Sequence, residues 1–144
     1  MRLGGRIWKD NKFWLAEVPM LDAMTQGRSR RDALRMMADL VQTMANKPAF
    51  HVAVFPGAHG AFEIGSDDVA ALVAVMLRRQ REKHGVSLSE VAHRLGARSK
   101  TAYARYEQGR TAPTVKKLFE LLAAVAPGED FVFQESPGSR TRAA

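Results

Sequence analysis

The stretch Gly85-Val86-Ser87-Leu88-Ser89-Glu90-Val91-Ala92-His93-Arg94-Leu95-Gly96-Ala97-Arg98-Ser99-Lys100-Thr101-Ala102-Tyr103-Ala104-Arg105-Tyr106-Glu107-Gln108-Gly109 decides the reading of the C-terminal half. Ser87 stands at an N-cap position with Glu90 three residues on, the reciprocal pairing of a capping box, so a helix is expected from Leu88. Leu88, Val91, Ala92 and Leu95 recur at offsets of three and four and form one apolar stripe, with Glu90, His93 and Arg94 outward. Gly96 stops that helix. Ser99 then caps a second short helix over residues 100–108, and Gly109 supplies its C-terminal stop.

Two short helices joined by a tight turn leave the second half exposed, with Tyr103 and Tyr106 facing in and Lys100, Thr101, Ala104 and Arg105 facing out. Small residues let such a helix seat in a major groove about 12 Å wide, where Lys or Arg reaches guanine O6 and N7 and Thr offers a hydroxyl or a methyl. With Ser99 at the helix start, this row forms the candidate DNA-reading surface; Arg98 and Arg110 flank it as phosphate contacts. The plain alternative is a packed helix pair with a solvated basic surface. Charge weighs against it: from Arg78 to Lys117 there are eleven Lys or Arg against three acids (Glu82, Glu90, Glu107), a net +8 in a chain whose total is +7. Phosphate binding with counterion release needs such a concentration.

Residues 77–125 resemble the Xre/lambda-repressor class of helix-turn-helix, whose recognition helix ends in an arginine, an apolar residue and Glu-x-Gly; here that reads Arg105-Tyr106-Glu107-Gln108-Gly109. The resemblance implies that Arg81, four residues before Gly85, pairs with Glu107 in a structural role. The chain departs from the family at Leu88, where a phosphate-contacting Gln is frequent, and in a turn after Gly96 that reads one residue longer. A further helix is expected after Thr111-Ala112-Pro113-Thr114, with Pro113 in its first turn, Thr114 as cap, and Val115, Leu118, Leu121, Leu122 and Val125 on one stripe up to Pro127-Gly128. Phe131-Val132-Phe133 has β character; it either pairs with a second subunit or packs back on its own domain.

The N-terminal half has a different period. Arg6-Ile7-Trp8 and the run from Phe13 to Val18 read as a hairpin across Lys9-Asp10-Asn11-Lys12, with Met24-Thr25-Gln26 as a third strand. Ser29 caps a helix with Asp32 in its first turn, and Ala33, Leu34, Met37, Leu40, Val41 and Met44 share one face up to Asn46 and Pro48. Strands over 50–55 and 61–64, broken at Pro56-Gly57, complete an order β-β-β-α-β-β, an α+β sheet with one helix on one face.

This half resembles the HicB antitoxin family through the hairpin ending Glu17-Val18-Pro19, then Gln26-Gly27, then Ser29-Arg30-Arg31-Asp32-Ala33-Leu34. The likeness covers residues 7–64. It departs from the family at Arg31-Asp32, where an acidic pair is common, and between Met20 and Met24, which lack a glycine-rich bend. It implies a degraded RNase-H-like sheet domain that binds a small HicA-type toxin, a messenger-cleaving ribonuclease. The expected division is residues 1–65 for toxin binding and oligomerisation, 66–135 for the helix-turn-helix, and 136–144 as a disordered tail.

Between the halves, Ser66 is expected to cap a helix, with Asp67 and Asp68 complementing the positive end of its dipole, and the first half of that helix carries Val69, Leu72, Val73, Met76 and Leu77 nearly all round. Burial between the two halves and contact with another subunit both account for that pattern.

The 144 residues are 46% hydrophobic and 26% charged, an ordinary balance for folded domains, and contain no cysteine, which removes disulfides, thiolate catalysis and Cys-ligated zinc. No run approaches the roughly 18 to 20 apolar residues of a membrane span, and Met1-Arg2-Leu3-Gly4-Gly5 lacks a signal-peptide stretch, so a cytoplasmic protein without membrane partner is expected. RNase-H-type catalysis needs clustered carboxylates for two metals, whereas the strands offer only Glu17 and Glu63, with Asp10, Asp22, Asp32 and Asp39 in turns or on the helix. His51, His59, His84 and His93 have no metal-ligand spacing, and the glycine turns at Gly4-Gly5 and Gly57-Ala58-His59-Gly60 lack the context of a phosphate loop. No enzyme, metal or cofactor is expected. The expected function is an antitoxin that occludes a HicA-type toxin and represses its own operon on operator DNA, as a homodimer or larger homo-oligomer. The alternative is a stand-alone Xre-type regulator whose N-terminal domain senses a ligand or only dimerises.

Overall fold

Strand β1 (Arg2–Asp10) buries Leu3, Gly5 and Ile7 while Gly4, Arg6 and Trp8 face solvent, the period-two signature of a sheet covered on one side. The protein, described over residues 1–137 by a computed structural model, continues through the two-residue turn Asn11-Lys12, with Asn11 left-handed at φ 51°, into β2 (Phe13–Val18). A single 3-10 turn, Pro19–Leu21, leads to β3 (Ala23–Gly27). Helix α1 (Arg30–Ala45) follows, its Ser29 Oγ accepting from the Asp32 N–H at 3.0 Å and the Asp32 carboxylate accepting from the Arg28 N–H at 2.9 Å. Ala33, Leu34, Met37 and Val41 are buried against the sheet, and left-handed Asn46 ends the helix.

The strand expected over 50–55 starts late, as β4 (Ala53–Pro56). Its first residues do other work: Phe50 is buried in the core, and the Val52 N–H is satisfied by the Gln42 side chain at 2.9 Å rather than by a strand. β5 (Ala61–Gly65) then enters beside β1, giving a wholly antiparallel sheet in the order β3-β2-β1-β5-β4. The N-terminal half is thus α+β, with α1 on one face.

Helices α2 (Val69–Lys83), α3 (Leu88–Arg94), α4 (Lys100–Glu107) and α5 (Val115–Val125) complete the described chain. The cap of α2 is Asp68 rather than Ser66: Asp68 accepts from the Ala71 N–H at 3.0 Å, while Ser66 Oγ accepts from the Asp68 N–H at 3.2 Å. Every residue from Ala71 to Leu77 is buried, because α2 is enclosed by α1 and the 3-10 turn on one side and by α4 and α5 on the other. Its apolar girth is therefore used within one chain. Three polar side chains in its next turn reach back to free carbonyls of the N-terminal half. Arg78 donates to Met44 O at the end of α1, Arg79 to Leu21 O at 2.9 Å and Asp22 O at 2.8 Å, and buried Gln80 to Met20 O at 3.0 Å. Helix ends leave such carbonyls without partners, so α2 caps the elements it packs against.

At the start of α5, Thr114 caps by accepting from the Lys117 N–H at 3.2 Å, and Pro113 precedes the cap instead of occupying the first turn. Phe131-Val132-Phe133 is not a strand. Phe131 lies half-buried against the core, Phe133 meets Phe119 edge-on at 5.2 Å, and Val132 stays exposed, so the run packs back on its own domain. Ser136 and Pro137, expected to begin a free tail, are held at the sheet: Ser136 Oγ donates to Glu63 Oε2 at 2.6 Å and Arg2 Nη1 to Pro137 O at 3.3 Å. Residues 138–144 of that expected tail lie outside the described residues. No helix among the described residues is long and apolar enough to cross a membrane.

Candidate nucleic-acid interface

Glycines set the angles between the three helices that build this site. Gly85, at φ +64°, ends α2, with Gly85 N–H on Glu82 O at 3.1 Å and Val86 N–H on Arg81 O at 3.0 Å. Gly96, at φ +67°, repeats the device after α3, with Gly96 N–H on His93 O at 3.0 Å and Ala97 N–H on Ala92 O at 2.9 Å. Both are Schellman closures, which need a left-handed residue that glycine adopts without penalty. Ser87 caps α3 by accepting from the Glu90 N–H at 3.1 Å, but the expected reciprocal bond gives way to another partner. The Glu90 carboxylate turns to Arg94 at 2.5 Å, and Arg94 in turn donates to Ala124 O on α5 at 2.9 Å.

Helix α4 is seated by its inner face. Tyr103 is 1% exposed, and its hydroxyl donates to Glu107 Oε1 at 2.6 Å. Arg81 on α2 grips the same carboxylate, Nε to Oε1 at 2.6 Å and Nη2 to Oε2 at 3.1 Å, and also donates to Val86 O at 3.1 Å. The hydrogen bond to Glu107 raises the Arg81 pKa further above its ordinary value, so this cation stays charged. Burial, then the neighbouring Glu107 carboxylate, pushes the Tyr103 phenol upward, which keeps it a donor. Gly109 lets the chain leave α4 across α2, where an added Cβ would lie 3.3 Å from Ala71 Cα.

The outer face of α4 is open. Arg98, Ser99, Lys100, Thr101, Arg105 and Arg110 are exposed, and Ala104 is half-buried between them. Ser99 Oγ also caps α4, accepting from the Thr101 N–H at 3.1 Å. Among the described residues Arg98, Lys100, Arg105 and Arg110 make no ion pair; in the N-terminal half Arg2, Arg6, Arg35 and Lys47 are engaged by carboxylates, and Lys9, Lys12, Arg28, Arg30 and Arg31 are not. Four uncompensated cations along one short helix and its flanks present a positive surface, the charge that the phosphate walls of a major groove attract. Two exposed positions escaped the sequence reading, Ala102 and Gln108. Gln108 falls seven residues after Thr101 and three after Arg105, so helical spacing alone places it on the same row.

The other groups considered from sequence are dispersed. Glu17 pairs with Arg6 at 3.0 Å, and Glu63 with Arg2 at 3.0 Å and with Ser136, which holds the Glu63 carboxyl below its ordinary range. His84 Nδ1 lies 2.8 Å from Gln80 O at the end of α2. Among the described residues no three His, Asp or Glu side chains gather as metal ligands would.

Residues 77–125 match the helix-turn-helix family, a span that runs from the last part of α2 to the final residue of α5. No curated protein matches the chain. The C-terminal part is therefore a helix-turn-helix domain of the Xre-like type, with α3 and α4 as its two central helices and the open row on α4 where such domains meet DNA.

Proposed function

We propose that the protein is the antitoxin of a HicAB-type toxin–antitoxin pair, which binds a small ribonuclease toxin with its sheet domain and represses its own operon with its helix-turn-helix domain. The observation that carries the DNA half of this reading is the open row on α4, where Lys100, Thr101 and Arg105 stand clear of all packing while Arg98 and Arg110 flank them without acidic partners. Lys100, Thr101, Ala104 and Arg105 would face base edges, and Arg98, Ser99 and Arg110 the phosphates. Binding rather than catalysis is the activity.

The toxin half rests on the resemblance of residues 7–64 to HicB and on a degraded RNase-H-like reading of the sheet. It is supported by a sheet face left uncovered by α1, on which Trp8, Phe13 and Met24 are 37%, 43% and 56% exposed. Large apolar side chains grouped on an open sheet face suit a protein partner.

A salt-titrated shift assay on the upstream promoter, combined with co-purification of a co-expressed neighbouring toxin, tests both halves. Specific retardation and a stable complex are expected. Promoter binding without any toxin complex favours a stand-alone regulator, and a complex without promoter binding removes the repressor role.

A further inference from the structure

We propose that the end of the sheet formed by the β1–β2 hairpin and the first turn of α1 is a second nucleic-acid surface, which holds a short segment of single-stranded RNA. This surface goes beyond the proposed function, which puts duplex DNA on α4. Trp8 and Phe13 also belong to the face offered there to a protein partner, so RNA and that partner would exclude each other.

Strand register brings the parts together. Lys9 lies opposite Trp14 and Trp14 opposite Gly27, so the hairpin tip and Arg28 share one end of the sheet, with Arg30 and Arg31 following in the first turn of α1. Residues 9–12 and 28–35 carry six Lys or Arg against Asp10 and Asp32, a net +4, whereas residues 1–65 as a whole carry nine against six, a net +3. Asp32 is already engaged by Arg35 at 2.7 Å and by the Arg28 N–H at 2.9 Å. Among the described residues Lys9, Lys12, Arg28, Arg30 and Arg31 make no ion pair; Arg30 is half-buried and donates to Gly57 O at 3.2 Å, and the other four are exposed. Such a concentration is the electrostatic footprint of a phosphate backbone. It is separate from α4, because α2 meets the N-terminal half at the far end of α1, at Met44 O, and the 16 residues of α1 span about 24 Å.

The aromatic side chains select a single strand over a duplex. Trp8 stands opposite Leu15 and Asp10 opposite Phe13, so Trp8 and Phe13 are diagonal neighbours on one sheet face, about 7–8 Å apart at the backbone. They are 37% and 43% exposed. Two open rings so placed are a platform on which unpaired bases stack, while the paired bases of a duplex have no free face to offer. A cavity of about 560 Å³ adjoins Phe13, lined by Asp10, Asn11, Lys12, Leu15 and Gln26 as well, within the range of a small-ligand site. The Gln26 amide bonds nothing among the described residues and offers a donor and an acceptor to a ribose 2′-hydroxyl, the group that separates RNA from DNA.

Both tryptophans of the chain, Trp8 and Trp14, lie at this end, so intrinsic fluorescence reports on this surface and not on α4. Titration of the full chain with an oligouridine of about eight nucleotides at low salt should quench that fluorescence saturably. One equivalent of promoter duplex should not reverse the quench; reversal would put the RNA on α4 and overturn the proposal. With labelled oligomer read by anisotropy, Lys12→Glu with Arg31→Glu should weaken binding at least about tenfold, as loss and reversal of two phosphate contacts would. Phe13→Leu keeps an apolar surface but removes the ring, and should weaken binding about fivefold or more. The oligodeoxyuridine of the same length should bind at least about threefold more weakly than the RNA, and Gln26→Ala should abolish that preference. Far-ultraviolet circular dichroism checks that each variant is folded. Absence of quenching, or affinity indifferent to both the charge reversal and Phe13→Leu, would overturn the surface; equal affinity for the deoxy oligomer would overturn its assignment to RNA.

Discussion

Arg81 of α2 and Glu107 of α4 are joined by two parallel hydrogen bonds, and they fix the tilt of the exposed row as no contact on α4's outer face could. Both side chains are largely shielded, at 16% and 10% exposure, and the Tyr103 hydroxyl uses the same carboxylate. Removing the acid strands a guanidinium and a phenol together. Glu107→Ala should therefore lower stability by about 3 kcal/mol, within the range for breaking a shielded pair, while Arg81→Met with Glu107→Leu should cost less than the single change. Urea denaturation of the three proteins checks the order.

Arg105 and Arg110 are both exposed and unpaired, but they occupy different places on the interface. Arg105→Ala should weaken operator binding by about 1–3 kcal/mol and relax preference at one base pair. Arg110→Ala, at the phosphate flank, should weaken specific and random duplexes alike and reduce the salt slope of log K by about one unit. Shift titrations at several salt concentrations separate the two outcomes. Identical behaviour of the two variants would remove Arg105 from base reading.

Much of this architecture was legible because local signals agreed with one another. Ser29, Ser87, Ser99 and Thr114 all cap the helices they precede, and Gly85, Gly96 and Gly109 all end the helices before them. The exposed row on α4 followed from a period of 3.6 and from Tyr103 as the inward anchor. What escaped was decided by distant partners. Ser66 and Asp68 are equal as caps in sequence, and Lys47, 2.5 Å from Asp68, is one partner that sequence spacing does not reveal. Phe50 has strand propensity but fills the core, and Glu90 abandons its own helix start for Arg94. Arg78 and Arg79 count toward the basic stretch, yet both donate to carbonyls of the N-terminal half, at the end of α1 and at the 3-10 turn. The sign of a side chain shows in sequence, and the acceptor it finds across the fold does not.

Gly27 is fixed by closeness rather than by backbone conformation. A Cβ there would lie 2.3 Å from the Ala33 nitrogen and 2.7 Å from Ala33 Cα, both main-chain atoms in the first turn of α1. No rotamer change relieves that overlap, so β3 and α1 would have to separate. Gly27→Ala should destabilise the sheet domain by about 2–3 kcal/mol, the scale of overpacking in a close-packed core. Gly4→Ala, where nothing lies within 4 Å, is the matched control and should be close to neutral. Thermal melts that place the two variants together would contradict this account of the Gln26-Gly27 motif.

Asp68 joins the two halves electrostatically as well as capping α2. The Lys47 ammonium beside it, then the Ala71 N–H, holds its carboxyl below the ordinary aspartate value of 3.8. A carboxylate whose pKa is lowered on folding adds stability that is complete above the unfolded value and disappears as pH falls through the folded one. Asp68→Asn keeps a side chain able to cap and removes only the charge, with Lys47 48% exposed and screened accordingly. The variant should lose about 0.5–1 kcal/mol at pH 7, the scale of a surface pair plus a helix-dipole contribution. That difference should shrink as pH drops below 3.8, because the wild-type carboxyl then takes up the proton that the amide mimics. Parallel denaturant titrations at pH 7, 5 and 3 test the sign; a gap that widened with acid would mean that Asp68 is strained by its surroundings and that the Lys47 contact does not stabilise the junction.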